Sequence, residues 1–340
     1  ADEPNANLST VPLYFLSQLA AQDVKAVLSG EGADELFGGY MSYHTTRAYE
    51  AYRRLPQGLR RAVSRWAAGR PPFKGRGHLI EGGQTVEETF LGMSKKGAQN
   101  GDYLHNPDIP MLRRLQEAAQ GCVKLVTLAP EQPGAMEFIK AAGEMGIAVS
   151  VGHTAADYDT AKAAFEAGAN HVTHTYNGMP GLYHREPSVI DAAYEVPGVL
   201  PELICDGVHI HGSVVRLTFG LFGGERMILI SDSLRATGMP DGEYPFGGQM
   251  IEVHGNRATI LGHPETLAGS VTSLMGCLRQ AVSFGIPLAD AVRACTFNPA
   301  RSIGIDGRTG SLDTGKEASI VMLDEKDLSV KAIIFKGQKV

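Results

Sequence analysis

Four short apolar runs in this chain each lead into a side chain able to bind a metal or carry a proton. They read Ile147-Ala-Val-Ser-Val-Gly-His153, His171-Val-Thr-His174, Pro201-Glu-Leu-Ile-Cys-Asp-Gly-Val-His209 and Met227-Ile-Leu-Ile-Ser-Asp232. In a barrel of parallel strands the C-terminal strand ends converge, so residues distant in sequence can share one site there. His153 and His174, one strand–helix unit apart, could ligate a single ion. Asp232 could take a proton from water and return it to a leaving group. Taken singly, a histidine at a strand end is more often a core or loop residue; it is the joint occurrence that points to metal-dependent hydrolysis.

The elements that must position these residues follow from patterning. Strand and helix signals alternate after about Met93: helix Pro110–Gln120 capped by Asp108, strand Lys124–Leu128, helix Gly134–Met145, strand Ile147–Val151, helix Ala155–Ala167, then strands at His171–Thr173, Glu202–Cys205 and Met227–Ile230. Such an order implies a parallel sheet with right-handed crossovers, closed or nearly closed into an α/β barrel. Tyr244–Ile260 reads as antiparallel hairpins. Helices Ser273–Phe284 and Pro287–Phe297 follow, and strands Ala318–Leu323 and Val330–Phe335 would build a small β-sandwich.

Composition narrows the function classes. The chain has 340 residues, a net charge of −6 and 43% hydrophobic residues, ordinary values for a globular protein. That charge argues against a nucleic-acid partner held by phosphate neutralisation. The basic stretch from Arg53 to Arg76 is interrupted by Pro and Gly and reads as a solvated face. No apolar run approaches the ~18 residues of a membrane span. The four cysteines form no C-x-x-C pair, which suits a reducing cytoplasm rather than a disulfide framework. The chain opens on Ala1 inside folded-looking text, and a preceding segment is expected.

From about Lys95 to Val340 the sequence resembles the N-acetylglucosamine-6-phosphate deacetylases of the amidohydrolase superfamily. The matching segments are Lys95–Asn100, Leu125–Glu131, Gly152-His-Thr154, Thr173–Met179, His184-Arg-Glu-Pro187, Asp206-Gly-Val-His209, Ser231-Asp-Ser233, Leu267-Ala-Gly-Ser270 and Asn298-Pro-Ala300. The resemblance implies a TIM-like barrel with a β-sandwich, and hydrolysis of the acetamide of an amino-sugar phosphate. It implies His153 and His174 as ligands of a divalent metal, Zn²⁺ foremost, with Fe²⁺ or another ion as alternatives. Asp232 becomes general base and then acid, and His209 touches the sugar and polarises the amide carbonyl. Asn177 and the Gly178 backbone contact substrate, Arg185 binds phosphate in the neighbouring subunit of a homodimer, and Leu267, Ala268 and Gly269 wall the pocket. Plainer roles stay open: Arg185 as a surface ion pair, Asn177 as a turn former, His209 as a core hydrogen-bond partner. His171, His211 and His254 are read as surface or structural.

The family's His-x-Glu-Gly-Pro motif, whose Glu is a metal ligand, is absent upstream, where Glu87-Glu-Thr-Phe-Leu-Gly-Met-Ser94 stands instead. Five of eight barrel strands are recognisable, so impaired activity is expected. Ala1–Ser94 resembles a piece of the synthetase domain of glutamine-hydrolysing asparagine synthase, an α/β domain of the ATP-pyrophosphatase type. Asp2-Glu-Pro-Asn5 and Val27–Tyr40 carry that resemblance, and it implies that Gly30, Glu31 and Asp34 derive from an ATP and Mg²⁺ site. The synthetase's pyrophosphate loop is missing. The expectation is a chimera of a 1–94 fragment and a 95–340 hydrolase domain, with an ATP-dependent amide ligase fragment or a non-catalytic remnant as alternatives.

Overall fold

The alternating strand and helix signals are realised as a five-stranded parallel sheet of order β1-β2-β3-β4-β5. The computed structural model describes residues 106–340 apart from 247 and 248, together with Val63. Everything expected elsewhere, including Gly30, Glu31, Asp34 and the 94/95 boundary, lies outside the described residues. The strands are β1 (Leu125–Leu128), β2 (Ala148–Val151), β3 (His171–Val172), β4 (Leu200–Ile204) and β5 (Ile228–Ile230). Helices α2 (Ala135–Glu144), α3 (Tyr158–Glu166), α4 (Val189–Glu195) and α5 (Gly212–Phe222) make the crossovers, and α1 (Ile109–Ala118) precedes β1. This is the α/β arrangement of a partial TIM-like barrel.

Side chains alternate across a strand, so each face can be read from the register. Val126, Leu128, Val149, Val151, Val172, Leu203 and Leu229 pack with Phe138, Ile139, Phe165, Ile190, Val215 and Phe219 of the helices in the main core. Each such burial contributes roughly 1.5–3 kcal/mol. The opposite face is polar. Thr127 aligns with Ser150, and Ser150 with His171. There the Thr173 hydroxyl meets Thr127 at 3.0 Å and Ser150 at 2.5 Å, while His171 Nδ1 lies 2.9 Å from Glu202 Oε1. His171 is 1% exposed, so of its two expected roles the structural one holds.

Local chemistry sets the helix starts. Asp108 accepts from Met111 N at 2.8 Å, as its place before Pro110 predicts, and Asp157 accepts from Thr160 N at 2.9 Å. Ser188 N donates to Asp191 Oδ2 at 2.7 Å at the start of α4. His211 is the N-cap of α5 and accepts from Ser213 N. Helices α4 and α5 carried no clear sequence signal. The first has 7 residues, too few for a period, and the second is apolar on most sides.

After β5, strands β6 (Gly242–Phe246), β7 (Gln249–His254), β8 (Arg257–Ile260) and β9 (His263–Ser270) form an antiparallel sheet with its own small core around Leu234, Ile251, Val253 and Ile260. Helix α6 (Leu274–Ser283) follows. The single helix expected at Pro287–Phe297 is two, α7 (Leu288–Cys295) and α8 (Phe297–Ser302), because Thr296 leaves helical geometry at φ −132° and ψ −76°. Asn298 is buried and donates to the carbonyls of Gly224 and Met227, fastening α8 to the entry of β5. Strands β10 (Ile320–Leu323), β11 (Val330–Phe335) and β12 (Gln338–Lys339) make a separate three-stranded sheet.

Candidate active site

His153, His174, His209 and Asp232 all follow the C-terminal ends of neighbouring parallel strands, β2, β3, β4 and β5. The first two meet directly. Their Nε2 atoms are 2.9 Å apart, with ring planes at 86°. By alternation Gly152 and Thr173 continue the polar face, so the next residue of each strand would turn toward the helices. His153 and His174 instead take positive φ, 47° and 29°. Asp232 does likewise at φ 50°. Left-handed backbone in non-glycine residues costs energy and clusters at functional sites.

The surrounding loops hold these turns. Gly152 has no room for a side chain: a Cβ there would lie 2.5 Å from Thr173 Cβ. Behind His153, Thr154 is fully buried and its hydroxyl donates to Glu131, which also accepts from Ala155 N at 2.8 Å. Thr154 N donates to Gly178 O at 3.0 Å, joining the His153 loop to the His174 loop. Thr175 N donates to Glu202 O at 2.7 Å. The Nδ2 group of Asn177 donates to His174 O at 3.1 Å, so Asn177 is a turn former in this structure. Gly269, at φ 135°, packs where a Cβ would be 3.3 Å from Asp232 O, and Ser270 N donates to that carbonyl at 2.8 Å. The Leu267-Ala268-Gly269 segment is therefore brought against Asp232. Arg185 is exposed on the loop before α4, and no hydrogen bond or ion pair among the described residues links it to the histidines.

His209 has a partner that the candidate list lacked. Asp206 Oδ2 lies 2.7 Å from His209 Nδ1, and Asp206 Oδ1 accepts from Val208 N and His209 N at 2.9 Å each. Burial pushes the Asp206 carboxyl up, but the hydrogen bond and charge of His209 and the two backbone N–H groups outweigh it, and the net direction is down. Burial lifts the nearby Cys205 and Cys277 thiols to about 12, so they stay neutral. Asp206, Glu131 and the His171–Glu202 pair were missed as residues, although Asp206 and Glu131 stand inside motifs quoted for the resemblance.

Two imidazole nitrogens suit a borderline divalent ion such as Zn²⁺, and nitrogens this close can share one ion with bonds of ~2.0–2.1 Å. Among the described residues no group of three or more His, Cys, Asp or Glu side chains is disposed to hold a metal. The described donor set thus fits an ion as far as it goes, with two ligands.

Comparison with known proteins shows the family. The sequence profile described as the amidohydrolase family matches residues 37–340. The chain is 34% identical over 319 residues to an N-acetylgalactosamine-6-phosphate deacetylase of Escherichia coli O157:H7, covering 94% of this chain and 81% of that one. It is 37% identical over 253 residues to the N-acetylglucosamine-6-phosphate deacetylase of Bacillus subtilis strain 168, covering 74% and 63%. The solved N-acetyl-D-glucosamine-6-phosphate deacetylase of Mycobacterium smegmatis superposes with a TM-score of 0.70 at 33% identity, covering 92% of this chain and 83% of that one. The chain spans less than two thirds of several relatives' length, 63%, 62% and 64% in three of them. The family match overlaps residues 37–94, and the comparisons give no support to an asparagine synthase piece or a chimera. The described helices include none long and apolar enough to cross a membrane. The chain belongs to the amidohydrolase family, among the relatives named N-acetylglucosamine- and N-acetylgalactosamine-6-phosphate deacetylases.

Proposed function

We propose that this chain hydrolyses the acetamide of N-acetylglucosamine 6-phosphate to glucosamine 6-phosphate and acetate. The observation that carries the proposal is the 2.9 Å approach of His153 and His174 on strained turns at adjacent strand ends. These two side chains would hold a divalent ion, Zn²⁺ in our reading. Such an ion supplies Lewis-acid polarisation of the amide and a lower pKa for water. Asp232 takes a proton from the attacking water and passes it to the nitrogen as the C–N bond breaks. His209 contacts the substrate through Nε2. Arg185 matches phosphate oxygens with its planar fork, and does so across a homodimer. Ala268 and Gly269 line the pocket beside Asp232. We place the enzyme in the cytoplasm, where its buried thiols stay reduced.

With two protein ligands among the described residues, turnover is expected to require metal in excess. The E. coli relative named for the galactosamine epimer makes that sugar the second substrate to test. The test is acetate release from both sugar phosphates with added Zn²⁺, abolished in Asp232→Asn. Absence of acetate from either substrate at saturating metal would refute the assignment.

A further inference from the structure

We infer that Asp206 is a positioning residue for His209, fixing the imidazole with its Nδ1 proton on the carboxylate and its Nε2 left for substrate. The inference rests on the proposed function for its kinetic consequence but not for its geometry. An ionised carboxylate only accepts hydrogen bonds, so the partner 2.7 Å away at Nδ1 must be the donor. With its proton on Nδ1 the ring presents Nε2 as an acceptor, able to take a hydrogen bond from an N–H or O–H of the substrate but not to give one. Asp206 and His209 would thus work as one unit, the carboxylate fixing which ring nitrogen accepts.

The local sequence is built for this pairing. Asp206 leaves β4, and Gly207 turns the chain at φ 80°, so that the side chain of Asp206 meets the one three residues on. Both are enclosed, with side-chain exposures of 0% for Asp206 and 5% for His209. A Cβ at Gly207 would come 3.2 Å from the side chain of Gln280 on α6, so that helix closes over the turn. Among the described residues, the thiols of Cys205, just after β4, and Cys277, from α6, lie close enough to Asp206 to interact with it, and burial keeps both neutral. Neither competes with the carboxylate for the ring.

The two oxygens of Asp206 do separable work. Oδ1 holds the turn through Val208 N and His209 N, and an asparagine Oδ1 would hold it equally. Oδ2 alone sets the protonation of His209, and an asparagine Nδ2 would reverse it by donating to Nδ1. Asp206→Asn therefore keeps the turn and inverts the tautomer.

The experiment is a long-range ¹H–¹⁵N correlation of the histidine rings in the Zn²⁺-loaded full chain, with the His209 signal identified by its loss in His209→Gln. The wild type is expected to carry the proton on Nδ1, Asp206→Asn on Nε2, and Asp206→Glu to revert to Nδ1. In steady-state assays of acetate release, Asp206→Asn should lower kcat on the order of 10–100-fold with KM little changed, as loss of a ligand-orienting partner commonly does. Partial recovery of kcat is expected in Asp206→Glu. A wild-type ring protonated on Nε2 alone overturns the inference without need of any variant. So does an Asp206→Asn variant with the wild-type tautomer or the wild-type kcat. If the wild type releases no acetate, the proposed function fails, and the ring spectra still decide the role of Asp206.

Discussion

Gly152→Ala is the sharpest test of how the two histidines are brought together. Gly152 has no positive φ to defend, so the added methyl acts through space alone. Its Cβ would stand 2.5 Å from Thr173 Cβ, 2.8 Å from Thr173 Oγ1 and 3.2 Å from Thr127 Cγ2. Relief requires a shift of about 1 Å between β2 and β3, since ordinary contact begins at 3.4 Å. Overpacking of this kind costs ~1–3 kcal/mol. Moving Thr173 also weakens its hydroxyl contacts to Thr127 and Ser150, each worth about 1 kcal/mol. A total loss of about 2–4 kcal/mol in urea unfolding is expected. Since His153 and His174 adjoin the two clashing residues, Zn²⁺ affinity in a chelator competition should fall ~10–100-fold. Thr173→Gly removes the opposing Cβ. A coupling energy of at least about 1 kcal/mol between the two substitutions is therefore expected. If Gly152→Ala unfolds within ~0.5 kcal/mol of wild type and binds Zn²⁺ unchanged, the close strand approach is not what positions the histidines.

Arg226 donates to the carbonyls of Ala193, Tyr194, Val196 and Val199, closing the end of α4 onto β4. Arg226→Lys keeps the charge but not the fork, and should cost about 2 kcal/mol in denaturant unfolding; an unchanged midpoint would count against that role. Burial lifts Cys205, Cys277 and Cys295 to about 12, while Cys122 is exposed. Thiol titration of the native protein at pH 8 should show Cys122 reacting fast and the other three only on unfolding. Asp206 is held below the ordinary carboxylate range, so its stabilisation is complete above the unfolded-state value and lost as pH falls through the lower folded-state one. Urea midpoints measured below about pH 4 should therefore decline less steeply in Asp206→Asn than in wild type.

Much of the barrel was legible because its outer face is uniform. Runs such as Leu125–Leu128 and Ala148–Val151 are short, apolar and bounded by helical text, and they appear as β1 and β2 in the expected order. The strand ends carrying His153, His174 and Asp232 were legible for the same reason. What the pattern hides is the polar face. His171 and Glu202 read as isolated polar residues in apolar runs, and only the alignment of β3 with β4 shows them meeting across the sheet. Asp206 was overlooked because an aspartate before glycine is usually a turn former, a role that it also fills. Asn177 was read both as a substrate contact and as a turn former, and its amide donates to the backbone of its own loop.

The backbone at the two histidines explains why such a site could be located but not oriented from sequence. Alternation sends Gly152 and Thr173 to the polar face and would send His153 and His174 among Val151, Val172 and the helices. Buried there, two imidazoles would displace core side chains and lack partners. A left-handed turn at each strand end interrupts the alternation and aims both rings at one point, at a cost of ~1–3 kcal/mol apiece. The cost is sustained by bonds that leave the neighbouring residues no alternative: Thr154 to Glu131 and Gly178, and Thr175 to Glu202. Of these bonds only the one between Thr154 and Glu131 is made by side chains, and neither residue carries a catalytic signature. If His153 and His174 hold the proposed ion, removing the Thr154 hydroxyl would weaken its binding without touching either histidine, and the residues on which the proposed chemistry depends extend well beyond those that would perform it.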